Sequence, residues 1–154
     1  MPSIKKIIDV FFATSDTRVF YYIKLMHLCK KNNLPAFGII LSRRLQRRYG
    51  VFISYQTEFD DTLILKHPTS IIIGEGVKLG KNVQIFQNVT IGRSDANINA
   101  YPTVGDNTII YCGAVLLGDI KIGSDCIIGA NAVVTKDVPN GHLAVGIPAR
   151  IIER

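Results

Sequence analysis

The second half of the chain places apolar residues at alternate positions within a repeating unit of six residues. Ten such units can be aligned from Ile71 onward, and the third residue of every unit is Val, Ile or Leu. These ten residues are Ile73, Leu79, Ile85, Ile91, Val104, Ile110, Leu116, Ile122, Ile128 and Val134. A six-residue period corresponds to one short strand plus one turn, and stacked units bury their third side chains in one column. A helix would need spacings of three and four instead. The pattern therefore predicts a parallel β-helix.

The fourth position of the units is often glycine. The glycines at this position are Gly74, Gly80, Gly92, Gly105, Gly123 and Gly129. A tight corner between strands needs either a positive φ or space that a Cβ would fill. The glycines therefore indicate where the corners of the coil lie.

The repeat is interrupted once, between the unit that begins at Val89 and the unit that begins at Pro102. These starts are thirteen residues apart, seven more than one period. The excess, roughly residues 93–101, is polar and contains no histidine. Loops that leave a rigid scaffold often shape a site, so we expect an excursion loop that covers a groove beside the coil.

The first fifty residues predict two helices. Residues 17–34 form an amphipathic pattern that ends at Pro35. Its apolar face comprises Val19, Tyr22, Ile23, Met26 and either Cys29 or Lys30. A second helix through Ile39, Ile40 and Leu45 would expose four arginines near its C-terminal end, where the helix dipole favours cations. They are Arg43, Arg44, Arg47 and Arg48. The chain thus divides into a basic helical region at 1–50 and a β-helix domain at 51–154.

Composition and charge narrow the function classes. The chain has 154 residues, of which 47% are apolar and 19% are charged, enough for one domain with a small appendage. Residues 1–50 carry a net charge of +8 and residues 51–154 a net charge of −2. The basic helices could contact a membrane surface peripherally or an anionic glycan carrier, although a solvated helix end is the simpler explanation. The basic region has no interleaved aromatic residues and no nucleic-acid-binding motif, so we do not expect nucleic acid to be a partner.

The sequence suggests neither a membrane span nor a cleaved leader, so we expect a cytoplasmic protein, with the inner face of the membrane as an open option. Three cysteines, Cys29, Cys112 and Cys126, lie in apolar surroundings or repeat positions and are expected to be reduced packing residues. The histidines His27, His67 and His142 are not spaced as zinc ligands. We therefore expect no metal site and no metal-dependent hydratase.

His67 is an anomaly in the repeat. If the register is extended backwards to Leu65, this histidine occupies the third position, which is otherwise aliphatic. Either the register shifts in this first coil or a polar residue replaces a core residue. The pattern alone leaves both alternatives open.

Residues 67–154 carry a series of motifs in a recognisable order. They are HPTSIIIGE (67–75), QNVTIG (87–92), the YP after the loop (101–102), GAVLLGDIKIG (113–123), IGANAVVTKDVP (128–139) and GIPARII (146–152). This run resembles the hexapeptide-repeat acyltransferases, and most closely their serine acetyltransferase branch. The resemblance implies a left-handed parallel β-helix, a homotrimer with active sites between neighbouring subunits, and acetyl transfer from acetyl-CoA.

Within this resemblance, His67 matches the catalytic histidine of the family. Its implied role is general base: the neutral imidazole takes the proton of an acceptor hydroxyl while that oxygen attacks the thioester carbonyl, without an acyl-enzyme. In the galactoside and maltose transacetylase branch the base lies in the protruding loop, but residues 93–101 offer no histidine. This absence favours His67.

Two departures from the family pattern shape the expected function. The carboxylate that orients the histidine is replaced by Phe52. Asp60 and Asp61 are the candidates for that role, with Glu58 as a weaker one, and no spacing selects among them. Tyr101 stands where serine acetyltransferases carry a histidine preceded by arginine, which helps to hold the amino acid, and the preceding residue here is Ala100. A site that grips a carboxylate should keep a cation, so the loss argues against serine.

The proportions of the chain also resemble those of polysaccharide O-acetyltransferases. We therefore expect an acetyl-CoA-dependent O-acetyltransferase that acts on a sugar hydroxyl of a cell-surface polysaccharide of the capsule, lipopolysaccharide or colanic-acid type. Serine O-acetyltransferase is the alternative, and an inactive β-helix scaffold is the non-enzymatic one. Tyr101 is the candidate acceptor-binding residue.

The resemblance also implies a set of residues that contact acetyl-CoA. They are Cys112, Ala130, Thr135, Lys136 and Arg150. Cys112 and Ala130 occupy turn positions where small residues let the backbone meet the pantetheine amides. Lys136 and Arg150 could bind the phosphates as cations, although a solvated basic surface would explain these two residues without a ligand.

Overall fold

The computed structural model describes residues 14–95 and 99–154, in which two helices precede a coil of short strands. The helices are α1 (Ser15–Lys31) and α2 (Pro35–Tyr49). The strands are β1 (Val51–Ile53), β2 (Glu58–Phe59), β3 (Ile64–Leu65), β4 (Ile71–Ile73), β5 (Lys78–Leu79), β6 (Gln84–Ile85), β7 (Thr90–Gly92), β8 (Thr103–Val104), β9 (Ile109–Ile110), β10 (Val115–Leu117), β11 (Lys121–Ile122), β12 (Ile127–Ile128), β13 (Val133–Val134), β14 (Leu143–Val145) and β15 (Arg150–Ile152).

The strands form three sheets. Each of the first four turns of the coil contributes one strand to each sheet, and in the last turn Val138 pairs with Ile122 only as an isolated bridge. Sheet A has the order β1-β4-β7-β10-β13, sheet B the order β11-β8-β5-β2, and sheet C the order β15-β14-β12-β9-β6-β3. All pairings between these strands are parallel except that of β15, which runs antiparallel to β14. The predicted parallel β-helix with helices at its N-terminal end is confirmed.

The third residues of all ten units are buried, as the repeat predicts. The structure adds a coil that the pattern did not reveal, with Ile53, Phe59 and Leu65 at its third positions. This coil was missed because the unit that begins at Leu63 is followed by Ile71, eight residues later rather than six. The two extra residues lengthen the turn between β3 and β4.

The longer turn also resolves the anomaly of His67. Leu65 is the core residue of its unit, so the register shifts and His67 lies on the turn, with φ of 48° and a side chain 73% exposed. A positive φ in a residue other than glycine is uncommon and often marks a functional position. The histidine is therefore not a core residue.

The fourth-position glycines serve close approach rather than a positive φ. Positive φ values occur instead at the last position of the units, for example at Asn82, Asn107 and Asp125. A Cβ on Gly105 would lie 2.6 Å from the backbone nitrogen of Ser124 in the next coil. The glycines thus allow successive corners to stack.

The helices pack across the first coil. Pro35 does not end α1, which stops at Lys31; it starts α2, because a proline has no N–H to lose at the first position of a helix. From α1, His27 Nδ1 lies 3.2 Å from the carbonyl oxygen of Phe59, and Lys30 donates to the carbonyl of Thr57. These contacts fix α1 against β2 of sheet B and the turn before it.

The face that α1 buries is the one predicted. Val19, Ile23, Met26 and Cys29 are buried. The four arginines of α2 are exposed, also as expected. In the described residues, neither helix is long and apolar enough to cross a membrane.

Three corners join the sheets and position the candidate site residues. Corner 1 leads from sheet A to sheet B and includes the interruption after β7. Corner 2 leads from sheet B to sheet C. Corner 3 leads from sheet C to sheet A and includes residues 66–70, 86–88, 111–113 and 129–131.

The outer faces of the sheets differ in polarity. The outward residues of sheet B include Glu58, Lys78 and Lys121, which suit contact with water. Those of sheet A include Phe52 and Ile72, which are 37% and 47% exposed. Exposed aliphatic and aromatic side chains on a regular sheet often mark a surface that another protein covers.

Candidate active site

Corner 3 aligns four residues in a file along the coil. His67, Gln87, Cys112 and Ala130 each stand two positions after the buried third residue of a sheet C strand. Backbone bonds tie these turns together: the N–H of Gly113 donates to Gln87 at 3.0 Å, and the turns above and below are joined in the same way. The corner thus brings the expected base and two of the expected cofactor residues into one line.

Aromatic rings flank this file near His67. The ring centroids of His67 and Phe86 are 6.4 Å apart, and those of Phe86 and Tyr111 are 5.0 Å apart in a stacked arrangement. Such a wall suits an extended ligand that is partly apolar.

Gln87 is a site residue that the sequence analysis did not single out. Its Oε1 is buried and has no hydrogen-bond partner among the described residues. A buried amide oxygen without a partner is costly, so a group that donates to it would be favoured at this point of the file. The signal was present in the sequence, because Gln87 occupies the same unit position as Cys112.

The carboxylate beside His67 comes from α1. Asp16 Oδ2 accepts the backbone N–H of His67 at 3.2 Å and lies 4.0 Å from its Nδ1. This proximity joins residues 51 positions apart in the sequence. The turn of His67 is therefore held by the first turn of a helix outside the repeat.

The two expected orienting carboxylates lie elsewhere. Asp60 and Asp61 are at corner 2, before β3, whereas His67 follows β3. Asp60 Oδ1 accepts from the hydroxyl of Thr62 at 2.6 Å, and this bond is the main cause that lowers the pKa of Asp60 below its usual value. Asp61 pairs with Lys24 at 3.8 Å. Neither shows a contact that would orient the imidazole.

Corner 1 holds a second polar cluster around Tyr101. The ring packs against Gly76, where a Cβ would approach to 2.2 Å. The Tyr101 hydroxyl donates to Glu75 Oε1 at 3.1 Å, and the guanidinium of Arg93 lies 5.9 Å from the ring centroid. Burial and then the bond to Glu75 raise the pKa of Tyr101 above its usual value.

The remaining cofactor candidates do not lie on corner 3. Thr135 and Lys136 follow β13 and are exposed on corner 1, like the Tyr101 cluster. Arg150 is exposed on β15, at the end of sheet C. The predicted cofactor residues therefore lie on two different corners and, for Arg150, on the last strand of sheet C. Their roles remain predictions.

Other expectations about cysteine and metal can be checked within the described residues. All three cysteines are free, with Cys29 and Cys126 buried and Cys112 half-buried. No group of three or more possible metal ligands occurs in residues 14–95 and 99–154.

Comparisons with known proteins agree with this architecture. Residues 101–136 match the family model "Bacterial transferase hexapeptide (six repeats)". A serine acetyltransferase of Bacillus pumilus is 32% identical over 152 residues, which cover 98% of this chain and 70% of that protein. The chain spans about half the length of some other relatives, for example 48% of a serine acetyltransferase of Buchnera aphidicola.

Solved structures give the same result. Serine acetyltransferase from Brucella abortus in complex with coenzyme A superposes with a TM-score of 0.83 at 27% identity, over 99% of this chain and 62% of that chain. Soybean serine acetyltransferase complexed with serine superposes with a TM-score of 0.76 at 32% identity, over 85% of this chain and 54% of that chain.

These relationships correct the expected acceptor. The prediction of a polysaccharide hydroxyl is wrong, since the relatives found across almost the whole chain are serine acetyltransferases. The prediction rested on a missing cation beside Tyr101, but Arg93 supplies one across the ring. The expected resemblance to hexapeptide-repeat acyltransferases is confirmed: the chain belongs to the serine acetyltransferase family.

Proposed function

We propose that this protein is an acetyl-CoA-dependent serine O-acetyltransferase. The observation that carries the proposal is the similarity to serine acetyltransferases over 98% of the chain. Relatives of the same fold are described in complex with coenzyme A and with serine. The presence of an exposed histidine at the family's catalytic position supports the same conclusion.

In the proposed reaction His67 acts as general base. Its imidazole accepts the proton of the serine hydroxyl while that oxygen attacks the thioester carbonyl of acetyl-CoA. The new C–O bond replaces the C–S bond, and the proton passes to the sulfur of the departing CoA. The exposure of the ring leaves it accessible to both substrates.

The file on corner 3 is suited to the pantetheine arm of acetyl-CoA. Cys112 and Ala130 are small, so the arm can approach the backbone, and the stacked rings of Phe86 and Tyr111 give an apolar wall. The unpaired Oε1 of Gln87 can accept a hydrogen bond from one of the arm's amide groups.

The Tyr101 cluster offers the two charges that a free amino acid requires. The guanidinium of Arg93 can bind the carboxylate of serine. Glu75 has a second carboxylate oxygen besides the one bonded to Tyr101, and it can bind the ammonium group. A sugar hydroxyl would need neither charge.

Within one chain the two corners lie apart, at opposite edges of sheet A. Corner 1 and corner 3 are separated by the strands of sheet A, which are three residues long in β4 and β7, or about 10 Å. The apolar outer face of sheet A is the surface through which copies would meet. We propose that the homotrimer expected for this family unites His67 of one copy with the Tyr101 cluster of the next.

The test is release of free CoA from acetyl-CoA in the presence of L-serine. We expect turnover that falls about 100- to 10,000-fold in His67→Ala, the range typical of a general base. His142→Gln is the matched control, because His142 contacts the carbonyl of Asn140 on corner 2 and should not affect turnover. No turnover with L-serine by a folded protein that binds acetyl-CoA would contradict the proposal.

A further inference from the structure

A carboxylate from α1 lies beside the proposed base. A histidine base needs a partner that fixes its ring and keeps the proton on the nitrogen facing that partner, so that the other nitrogen can accept a proton. The family's position for that partner holds Phe52, whose side chain faces outward from sheet A. Asp16 is the carboxylate that the structure places beside the Nδ1 of His67.

We propose that Asp16 is the positioning residue for His67, an inference that rests on the proposed function. Asp16 makes two contacts with the same residue. It accepts the backbone N–H of His67 at 3.2 Å, and the same oxygen lies 4.0 Å from Nδ1. A side-chain rotation that shortens the second distance by about 1 Å makes it a hydrogen bond, as commonly happens when substrates bind.

The backbone contact matters because of the conformation of His67. Its φ of 48° lies in the left-handed region, which costs free energy for any residue with a side chain. A hydrogen bond to its N–H stabilises this turn. Asp16 thus holds the backbone that presents the ring.

The position of Asp16 is itself fixed by packing. Asp16 lies in the first turn of α1, and Thr14 caps this helix by accepting the N–H of Thr17. Further along α1, Val19 and Ile23 are fully buried in the common core. The helix is therefore a rigid support for the carboxylate rather than a mobile segment.

The ring orientation has a chemical consequence. A carboxylate at Nδ1 stabilises the tautomer with its proton on Nδ1, and this leaves the Nε2 lone pair free to accept the serine proton. It also stabilises the imidazolium formed during the reaction. Both effects require the charge of Asp16, whereas the backbone contact requires only an oxygen acceptor.

This difference allows a decisive set of variants. Asp16→Asn keeps an oxygen that can accept the N–H of His67 but removes the charge. We expect it to lower kcat about 10- to 100-fold with little change in the KM for acetyl-CoA, and Asp16→Glu to recover part of the loss. Asp125→Asn is the matched control, since Asp125 binds Asn107 on corner 2 and should leave kcat unchanged.

Ionic strength separates an electrostatic role from a structural one. The side chains of Asp16 and His67 are 40% and 73% exposed, so salt screens their interaction. The kcat ratio between wild type and Asp16→Asn should shrink between 20 mM and 500 mM NaCl. Wild-type kcat in Asp16→Asn, or a loss that is independent of salt and accompanied by a lower Tm, would overturn the proposal.

A second readout does not depend on the acceptor. Nitrogen NMR of the imidazole at pH 8 should show the Nδ1–H tautomer of His67 in wild type and a redistribution toward Nε2–H in Asp16→Asn. An unchanged tautomer would refute the role of Asp16. If serine does not react at all, the proposed function fails, yet the tautomer measurement still decides whether Asp16 positions His67.

Discussion

The corner glycines provide the sharpest test of how this coil is stabilised. Gly105 and Gly92 occupy the same position of their units, and neither has a positive φ. A Cβ on Gly105 would lie 2.6 Å from the Ser124 nitrogen and 2.7 Å from the Gly123 carbonyl carbon. Both are backbone atoms of the next coil, which cannot rotate away. Around Gly92, beside the interruption, no atom of the described residues other than its chain neighbours lies within 4 Å of that position.

The expected effects have opposite signs. Gly105→Ala forces two coils apart, and overpacking of this kind costs about 1–3 kcal/mol. Gly92→Ala meets no obstacle among residues 14–95 and 99–154 and restricts the unfolded chain, which stabilises the fold by about 0.4–1 kcal/mol. The variants should therefore differ by about 1.4–4 kcal/mol in the free energy of unfolding.

Urea unfolding at one protein concentration measures this difference, with wild type as the reference. A fixed concentration is needed because association contributes to apparent stability. Equal destabilisation by both alanines would refute the reasoning, since it would mean that the fourth position requires a glycine backbone conformation and not space between coils.

Two further predictions concern charge. Arg93→Ala should raise the KM for L-serine about tenfold to a hundredfold with a small change in kcat, because it removes the partner of the serine carboxylate. A steady-state assay measures this KM, with Arg93→Lys as the conservative variant. An unchanged KM would contradict the prediction. The Thr62 hydroxyl is the main cause that lowers the pKa of Asp60 in the folded protein. The Asp60 carboxylate therefore stabilises the fold at pH values above its unfolded-state pKa, which is near 4. This contribution is lost as the pH falls through the lower folded-state pKa. Asp60→Asn should therefore be less stable than wild type at pH 7 and equally stable in strong acid, as measured by urea unfolding at both pH values; a difference that persists in acid would contradict the assignment.

The regular part of the fold follows from local pattern, because one face of each strand must be buried whatever the chemistry of the site. Ile73 and Ile128 are buried for this reason, as are the other third residues. The first coil escaped the pattern because its last turn has two extra residues, which moved His67 out of register. An irregularity of this kind is expected at a functional position, where the chain departs from the six-residue repeat in order to form the site.

The partners of the site residues could not be read from the sequence. Asp16 reaches His67 only because α1 packs across the first coil, and no periodicity encodes that contact. Asp60 and Asp61 are closer along the chain, but β3 lies between them and His67. Separation in sequence is a poor guide in a solenoid, because residues one coil apart stack while residues half a coil apart lie on different corners.

Arg93 lies beside the Tyr101 ring, although the family's arginine stands at another place in the sequence. The family pattern puts arginine directly before the residue at Tyr101, where this chain has Ala100, and the loop instead brings Arg93 to the same ring. If position in space is what binds the substrate, Ala100→Arg should restore serine affinity to the Arg93→Ala protein. The KM of the double variant for L-serine should then approach that of wild type, with Ala100→Lys as the control for charge without the planar fork. A KM that stays as high as in Arg93→Ala would show that Arg93 acts through its own loop and not as a relocated cation.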